Sequence, residues 1–342
     1  MAAVLSRFRS RILIGLAAVL TLGLSLIWLY AAQQLGDYLH QPAFNGAALA
    51  DFCGASEIGG FPFRLKLTCA NLKAPLGSDD GAPVFTADEV KGVANLWSPS
   101  HFTLSFSSPV AVRGATGVFA KLRHDGATVD FVWDDERGIT QAAVNGRALD
   151  WRPEVVEAGP AFNVQALRFA AHPSSRDGVD SLRVEVEADG LTAPVVQSAL
   201  GDSAPNAFAV SGDLYPLLPP NDDWRQAVED WRQAQGTARI DKGEWRWGAL
   251  TAQFDGVLSL DDERRLAGTL NVKARGAGAL AARFGLPLAP GAANALLGAL
   301  LGGKPIPPQQ KQQEDSIALT LRLAQGRAYL GPFQIGTLAP LY

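Results

Sequence analysis

The chain has 342 residues, of which 47% are hydrophobic and 19% are charged. Without Arg7, Arg9 and Arg11 near its start, the chain has 27 Lys and Arg residues and 34 Asp and Glu residues, which gives this part a net charge of −7. An acidic body of this kind argues against binding to nucleic acid, which requires a basic surface. The 35 glycines and 21 prolines are typical of many short strands joined by tight turns.

The first element is an apolar stretch at residues 12–32 (ILIGLAAVLTLGLSLIWLYAA), which carries no charge over 21 residues. As a helix it spans roughly 31 Å, about the thickness of the hydrocarbon core of a bilayer. Because the three arginines precede it, we expect residues 1–11 to stay cytoplasmic and the body of the protein to be exported. The alternative is a cleaved signal peptide, but such peptides have apolar regions of about 7–15 residues and small residues before the cut, where this chain has Leu29 and Tyr30.

Cys53 and Cys69 are the two cysteines of the chain, and fifteen residues separate them. In an exported protein we expect them to form a disulfide, which stabilises a fold by roughly 3 kcal/mol for a loop of this length. A redox or metal pair is the alternative, but the spacing matches neither a CxxC motif nor a four-ligand zinc site. The cysteines therefore indicate an oxidising compartment.

A stalk at residues 33–52 leads into a first β-rich region, residues 53–214. The stretch 61–69 (FPFRLKLTC) alternates apolar and polar residues, which predicts a half-buried strand. Its apolar residues are expected to share one face: Phe61, Phe63, Leu65 and Leu67. Turns are predicted at residues 78–81, at 134–138 and at Asn145-Gly146. The other strands expected here are residues 83–96, 101–112, 128–133, 139–149, 162–170, 182–188 and 207–214.

A proline-rich break at residues 215–220 opens a second region, residues 215–342, which we expect to continue the same sheet. Residues 221–236 (NDDWRQAVEDWRQAQG) predict a helix with one apolar stripe. Helices are also expected at 277–284 and 292–301, and strands at 238–247, 250–260, 266–273, 317–323 and 327–335. The sequence therefore predicts a mainly β fold with a few helices, a twisted antiparallel sheet of many short strands preceded by one N-terminal transmembrane helix.

Several stretches carry a family resemblance. The segment CGASEIGGFPFRLKLTC and the strand entering NLWSPSHFTLSFSSP resemble the bacterial domain of unknown function 2125. The meander DKGEWRWGALTAQFDGVLSLDDERRLAGTL and the closing QGRAYLGPFQIGTLAPL are similar to pieces of that family and, more distantly, of AsmA-like envelope proteins. The resemblance implies a β-rich protein anchored in the inner membrane of a Gram-negative bacterium, with its body in the periplasm. It carries over no catalytic residues.

No motif in the chain predicts an enzyme, a cofactor or a metal site. Residues 298–304 (GALLGGK) match the start of a phosphate-binding P-loop, but Pro305 replaces the Ser or Thr that would hold Mg²⁺. The four histidines show no metal-ligand spacing, and the acidic clusters lie at predicted turns, where Asp is favoured for backbone reasons. We therefore expect a non-catalytic protein, with an envelope hydrolase as the minor alternative.

Two functions of different classes fit this pattern. The first is the binding of lipid or another apolar chain on a face of the sheet, although the same residues suit an ordinary filled core. Besides the face at 61–67, the residues concerned are Leu182, Val184, Val186, Leu319, Leu321 and Leu323. Residues 292–301 (AANALLGALL) are apolar around nearly the whole helix, and we expect them to cover one end of the site. The covering side chains would be Leu296, Leu297, Leu300 and Leu301. The second function is an envelope scaffold or assembly factor that acts through protein contacts.

Overall fold

The computed structural model divides the chain into two units of antiparallel β structure. Unit 1 comprises Met1–Leu122 and Gly126–Ile139, and unit 2 comprises Arg123–Asp125 and Thr140–Tyr342. The residues that the structure describes are 2–44, 47–76, 82–114, 117–134, 138–155, 159–176, 178–194, 206–217, 224–248, 250–276, 316–330 and 333–342.

Helix α1 (Ala2–Leu39) opens unit 1. Within it, Val19–Leu39 is long and apolar enough to cross a membrane, by length and composition. The helix continues beyond residue 32 into the segment predicted as a stalk, because Leu35 and Leu39 keep the helical spacing of apolar residues and Leu39 is buried in the unit. The predicted β fold with one N-terminal apolar helix is thus confirmed.

The sheet of unit 1 divides into two branches. Its strands are β3 (Ala55–Gly59), β4 (Arg64–Pro75), β5 (Val84–Asn95), β6 (Ser98–Phe106), β7 (Val110–Gly114), β8 (Gly117–Arg123) and β9 (Gly126–Asp134). Before them, β1 (Pro42–Phe44) and β2 (Ala47–Ala48) form a separate two-stranded sheet, followed by a 3₁₀ turn at Leu49–Phe52. Strands β3, β4 and β5 pair in order. The first half of β5 pairs with β7, and the second half pairs with β6. Strand β7 in turn pairs with β8, and β6 pairs with β9.

The core of unit 1 is built around the cysteine pair. Cys53 and Cys69 form a disulfide, with their sulfur atoms 2.01 Å apart. Cys69 on β4 is buried and packs with Ala87, Val90 and Val110, and Cys53 packs against this cluster. The bond therefore joins the segment before β3 to the centre of the sheet, and it indicates an oxidising compartment.

Unit 2 is a meander in which each strand pairs with the next. Its strands are β10 (Gly138–Pro153), β11 (Phe162–Arg176), β12 (Val179–Leu191), β13 (Asn206–Tyr215), β14 (Thr237–Trp247), β15 (Leu250–Leu260), β16 (Leu266–Arg275), β17 (Ser316–Ala324), β18 (Arg327–Leu330) and β19 (Phe333–Thr337). All neighbouring pairs are antiparallel. Strands β13 and β14, on either side of the proline-rich break, pair along their whole length.

Helix α2 (Trp224–Gln233) connects β13 to β14, inside the helix predicted at residues 221–236. The ring of Trp231 lies against Gly236, where a Cβ atom would come within 2.2 Å of it. Glu229 accepts hydrogen bonds from Arg232 (2.7 Å) and from the hydroxyl of Tyr342 (2.8 Å). These bonds, that of Arg232 foremost, hold the pKa of the Glu229 carboxyl well below its usual range. They tie the last residue of the chain to α2.

The strand predicted to start at Phe61 begins instead at Arg64. Gly60 adopts a φ of +95°, and a Cβ atom there would lie 2.7 Å from the carbonyl oxygen of Arg64, so the chain makes a tight turn that only glycine fits. Phe61 and Phe63 therefore lie in the turn and are exposed, whereas Leu65 on β4 is buried. The predicted common face of these residues is wrong for the two phenylalanines.

The turn predicted at Asn145-Gly146 is also wrong, because β10 runs straight through it. Both residues pair with β11, Asn145 with Arg168 and Gly146 with Leu167. A Cβ atom at Gly146 would lie 2.8 Å from the side chain of Leu149, so this glycine gives room to a neighbour on its own strand. Pairing with β11 overrides the local turn preference.

Candidate apolar binding site

One face of the unit 2 sheet is apolar across eight neighbouring strands. Alternate residues of a strand point to the same face, and the register places apolar residues opposite one another from β10 to β17. The central row consists of Val144, Phe169, Val186, Val210, Gly243, Phe254, Val272 and Leu319. The predicted face residues Leu182, Val184, Leu321 and Leu323 share this face by strand alternation.

A pocket of about 310 Å³ opens on this apolar face. Its lining is Leu191, Ala193, Asn206, Phe208, Trp245 and Phe254. Ligand pockets in proteins commonly measure about 300–1,000 Å³ and are mostly apolar with a few placed polar groups. The volume therefore suffices for a segment of an acyl chain or for a compact apolar ligand.

Aromatic rings form the walls of the pocket. Phe208 on β13 and Trp245 on β14 are directly paired, and the rings of Phe208 and Phe254 stack with their centroids 6.2 Å apart. The ring of Phe254 lies on Gly243, where a Cβ atom would come within 2.1 Å of it. Any side chain at residue 243 would push Phe254 away, so this glycine determines the position of one wall.

Two unpaired polar atoms lie at one side of the pocket. Asn206 and Trp247 are opposite each other on β13 and β14, and they are only 4% and 5% exposed. The amide nitrogen of Asn206 donates to the carbonyl oxygen of Leu191 at 3.2 Å. Asn206 Oδ1 and Trp247 Nε1 have no hydrogen-bond partner among the described residues. Trp247 stacks on the pocket residue Trp245, with ring centroids 6.2 Å apart. The lining residue Asn206 thus holds an unpaired acceptor, and Trp247, opposite it on the next strand, holds an unpaired donor.

The opposite face of the same strands carries an ion-pair network. Arg183 on β12 contacts Asp213 on β13 at 3.2 Å and Asp241 on β14 at 2.5 Å. Arg176 on β11 contacts the same two carboxylates, at 3.2 Å and 2.7 Å. Asp213 is 2% exposed, so its charge requires these partners. Arg239 also contacts Asp241, and Glu185 contacts Arg183, each at 3.7 Å, and we assign the network to the stability of the sheet.

A β-bulge brings Asp241 into this network. The register between β13 and β14 shifts between Ser211 and Gly212, which leaves Asp241 without a partner residue on β13. A Cβ atom at Gly212 would lie 2.3 Å from the carbonyl oxygen of Arg239, so the bulge requires glycine at this position. The hydrogen bonds from Arg176 foremost, and those from Arg183, lower the pKa of the Asp241 carboxyl to about 2.

The cover predicted for the site lies outside the described residues, as do the helices predicted at 277–284 and 292–301. The residues concerned are Leu296, Leu297, Leu300 and Leu301, and their role stays a prediction. Within the described ranges, no group of three or more His, Cys, Asp or Glu side chains is placed to hold a metal ion.

Sequence reasoning missed the residues that form the pocket. Trp245 and Trp247 alternate in the stretch EWRW, which was a signal for a common face, but nothing local connects them to Asn206 or Phe208. The register of β13 against β14 brings these residues together. Without the strand pairing, the buried Asn206 is indistinguishable from a turn asparagine at the start of a strand.

Fold and site together define an antiparallel β protein with an apolar pocket and an N-terminal helix able to span a membrane. The chain matches the family described as "uncharacterized protein conserved in bacteria" (DUF2125) over residues 28–339, and it belongs to that family. Comparison with curated proteins and with solved structures finds no match. The distant likeness to AsmA-like proteins stays a prediction.

Proposed function

We propose that this protein is a non-catalytic, membrane-anchored component of the bacterial envelope that binds an apolar chain with a polar head in the pocket of unit 2. One observation carries the proposal. Asn206, whose Oδ1 is unpaired, lines the otherwise apolar pocket, and Trp247, whose Nε1 is unpaired, lies opposite Asn206 on β14 and stacks on the lining residue Trp245.

The two unpaired atoms define the chemistry of the ligand. A buried polar atom without a partner costs about 1–3 kcal/mol, so each atom favours a ligand that supplies the missing hydrogen bond. Asn206 Oδ1 accepts, and Trp247 Nε1 donates. A hydroxyl or an amide group performs both roles at once, and an apolar chain attached to it would lie against Phe208, Trp245 and Phe254. This combination is found in hydroxylated or amide-bearing lipids.

The location of the protein suits such a ligand. Three arginines before the apolar helix favour an N-terminus in the cytoplasm. The disulfide of unit 1 favours a body on the oxidising side of the membrane. On this account the pocket is in the periplasm of a bacterium with two membranes, and the anchor keeps it near a supply of lipid.

The proposal is tested by filling the pocket. The full-length protein is extracted from its membrane in detergent, washed, and analysed by mass spectrometry for the lipid bound per chain. Ala193→Phe places a ring in the pocket and is expected to remove the bound lipid. Ala207→Phe is the matched control, because Ala207 neighbours Asn206 in sequence but lines a pocket on the opposite face with Glu187 and Glu244. The control is expected to keep the lipid.

The result that overturns the proposal is a folded Ala193→Phe protein with as much bound lipid as the wild type. Folding is checked by the melting temperature. The scaffold function would then be preferred, and it predicts that envelope proteins, rather than lipids, co-purify with the body.

A further inference from the structure

The surface of α1 changes character along its length. From Val19 to Tyr30 the exposed side chains, apart from that of Thr21, are large and apolar, which suits contact with lipid tails. They are Val19, Leu20, Leu22, Leu26, Ile27, Leu29 and Tyr30. From Gln33 onward the exposed residues include Gln34 and Asp37, which are polar. Glutamine and aspartate side chains favour water, so the outer edge of the headgroup layer, where the membrane meets water, falls between Tyr30 and Gln33.

The end of α1 is attached to the folded part of unit 1. The indole nitrogen of Trp28 donates a hydrogen bond to the carbonyl oxygen of Arg64 at 2.7 Å. The ring of Trp28 meets that of Phe61 edge to face, with centroids 5.6 Å apart. Further along the helix, Gly36 lies against Ile58 of β3. These contacts fix the start of β4 at the level of Trp28, on the lipid side of the boundary.

Two hairpin ends meet at this level. The turn between β3 and β4 and the turn between β5 and β6 are joined by a hydrogen bond from the amide of Leu96 to the carbonyl oxygen of Phe63, 3.0 Å long. Phe61, Phe63 and Trp97 project from these turns with 57%, 50% and 70% of their surface exposed. The rings of Phe63 and Trp97 are 6.1 Å apart. A cluster of exposed aromatic rings at a loop end is costly in water and marks a contact surface.

The depth of this cluster follows from the helix. Gln33 follows Trp28 by five positions, which places Trp28 about 7.5 Å below Gln33 along the helix. The headgroup layer on each side of a bilayer is roughly 5–8 Å thick, and aromatic rings prefer this layer. Because Phe61 contacts Trp28 directly, the hairpin ends lie at the same depth.

We propose that Trp28, Phe61, Phe63 and Trp97 form a membrane-docking patch that inserts into the headgroup layer of the phospholipid bilayer. The exposed Arg64 beside the patch suits contact with lipid phosphates. The patch holds unit 1 against the membrane at a second point besides the helix itself. This inference rests on α1 crossing the membrane and not on the pocket of unit 2, so the two proposals fail separately.

The test measures depth with a fluorescent label on the full-length protein in vesicles of phosphatidylethanolamine and phosphatidylglycerol. Both native cysteines are in a disulfide, so Trp97→Cys provides a single site for the environment-sensitive dye NBD. Leu76→Cys is the matched control. Leu76 is 50% exposed and follows the far end of β4, a strand of 12 residues that spans roughly 40 Å.

The label at residue 97 is expected to lose most of its emission when the vesicles contain lipid with a nitroxide near the headgroup, and to be shielded from aqueous iodide. The label at residue 76 is expected to keep its emission with nitroxide lipid and to be quenched by aqueous iodide. Phe63→Cys serves as a second site in case Trp97→Cys does not fold. Equal quenching by iodide at residues 97 and 76, with no effect of nitroxide lipid at residue 97, would overturn the proposal.

Discussion

Replacement of Asn206 by leucine separates ligand binding from stability. In the ligand-free protein Asn206 Oδ1 is buried without a partner, so its removal recovers about 1–3 kcal/mol of the free energy of unfolding. The substitution also removes the hydrogen bond from the Asn206 amide to Leu191, which contributes about 1 kcal/mol. The net expectation is a ligand-free protein that is more stable by about 1 kcal/mol, or a melting temperature about 3 °C higher for a unit of this size.

The same substitution should weaken the binding of the ligand. Asn206→Leu cannot accept a hydrogen bond from the head of the ligand, which costs about 0.5–1.5 kcal/mol, or roughly 2- to 13-fold in the dissociation constant. Two ligands of similar chain length make the comparison sharp. Monoolein has hydroxyl donors and methyl oleate has none. The wild type should prefer monoolein, and Asn206→Leu should lose most of that preference.

The assay is competition of each ligand against a fluorescent fatty acid bound to the full-length protein in detergent, together with thermal unfolding of delipidated protein. Asn271→Leu is the control, since Asn271 is exposed on β16 and its side-chain amide donates a hydrogen bond to Asp255. The reasoning is refuted if Asn206→Leu lowers the melting temperature while the preference for monoolein is unchanged. Asn206 would then be a structural residue that merely supports the carbonyl of Leu191.

Three further predictions concern stability and topology. Replacing Cys53 and Cys69 together by serine should lower the free energy of unfolding by roughly 3 kcal/mol, measured against wild type with and without reductant. The folded-state pKa of Asp241 is about 2, below its ordinary value of 3.8, so its stabilising contribution is present above pH about 4 and is lost as the pH falls towards 2. Unfolding of Asp241→Asn should depend less on pH in that range, and an equal dependence would contradict the network. A reporter fused after Tyr342 should be active only when it functions in the periplasm; activity of a cytoplasmic reporter there would reverse the topology.

Local sequence patterns predicted most strands of unit 2 because each strand of the meander pairs with its neighbour in the chain. In unit 1 the strand predicted at 101–112 is divided between β6 and β7, and β3 and β8 were not predicted. The bounds of β15 match those predicted from alternation, and those of β14 and β16 differ by a few residues at most. The turn at Gly60 was missed because the alternation of FPFRLKL continues through it, while its backbone conformation depends on glycine. Phe61 and Phe63 are exposed as a result, and both belong to the proposed membrane-docking patch.

The pocket was not predictable because it depends on register. Residues 206, 245 and 254 are far apart in the sequence, and a shift of one residue in any of the pairings would turn the side chains of that strand to the other face. The bulge at Asp241 adds a shift of this kind in β14, and no local pattern in the sequence indicates it. The alternation of apolar and polar residues predicted the apolar faces of the strands. It could not predict that Asn206 Oδ1 and Trp247 Nε1 are unpaired on such a face.

If an apolar chain occupies the pocket of unit 2, cross-linking in living cells can capture it there. Cells that make the full-length protein are supplied with a fatty acid bearing a diazirine, irradiated, and the cross-linked peptides are identified by mass spectrometry. Cross-links are expected in the peptides that contain Phe208, Trp245 or Phe254, and they should be lost in Ala193→Phe. Cross-links confined to α1, with none in unit 2, would show that the pocket does not hold the chain.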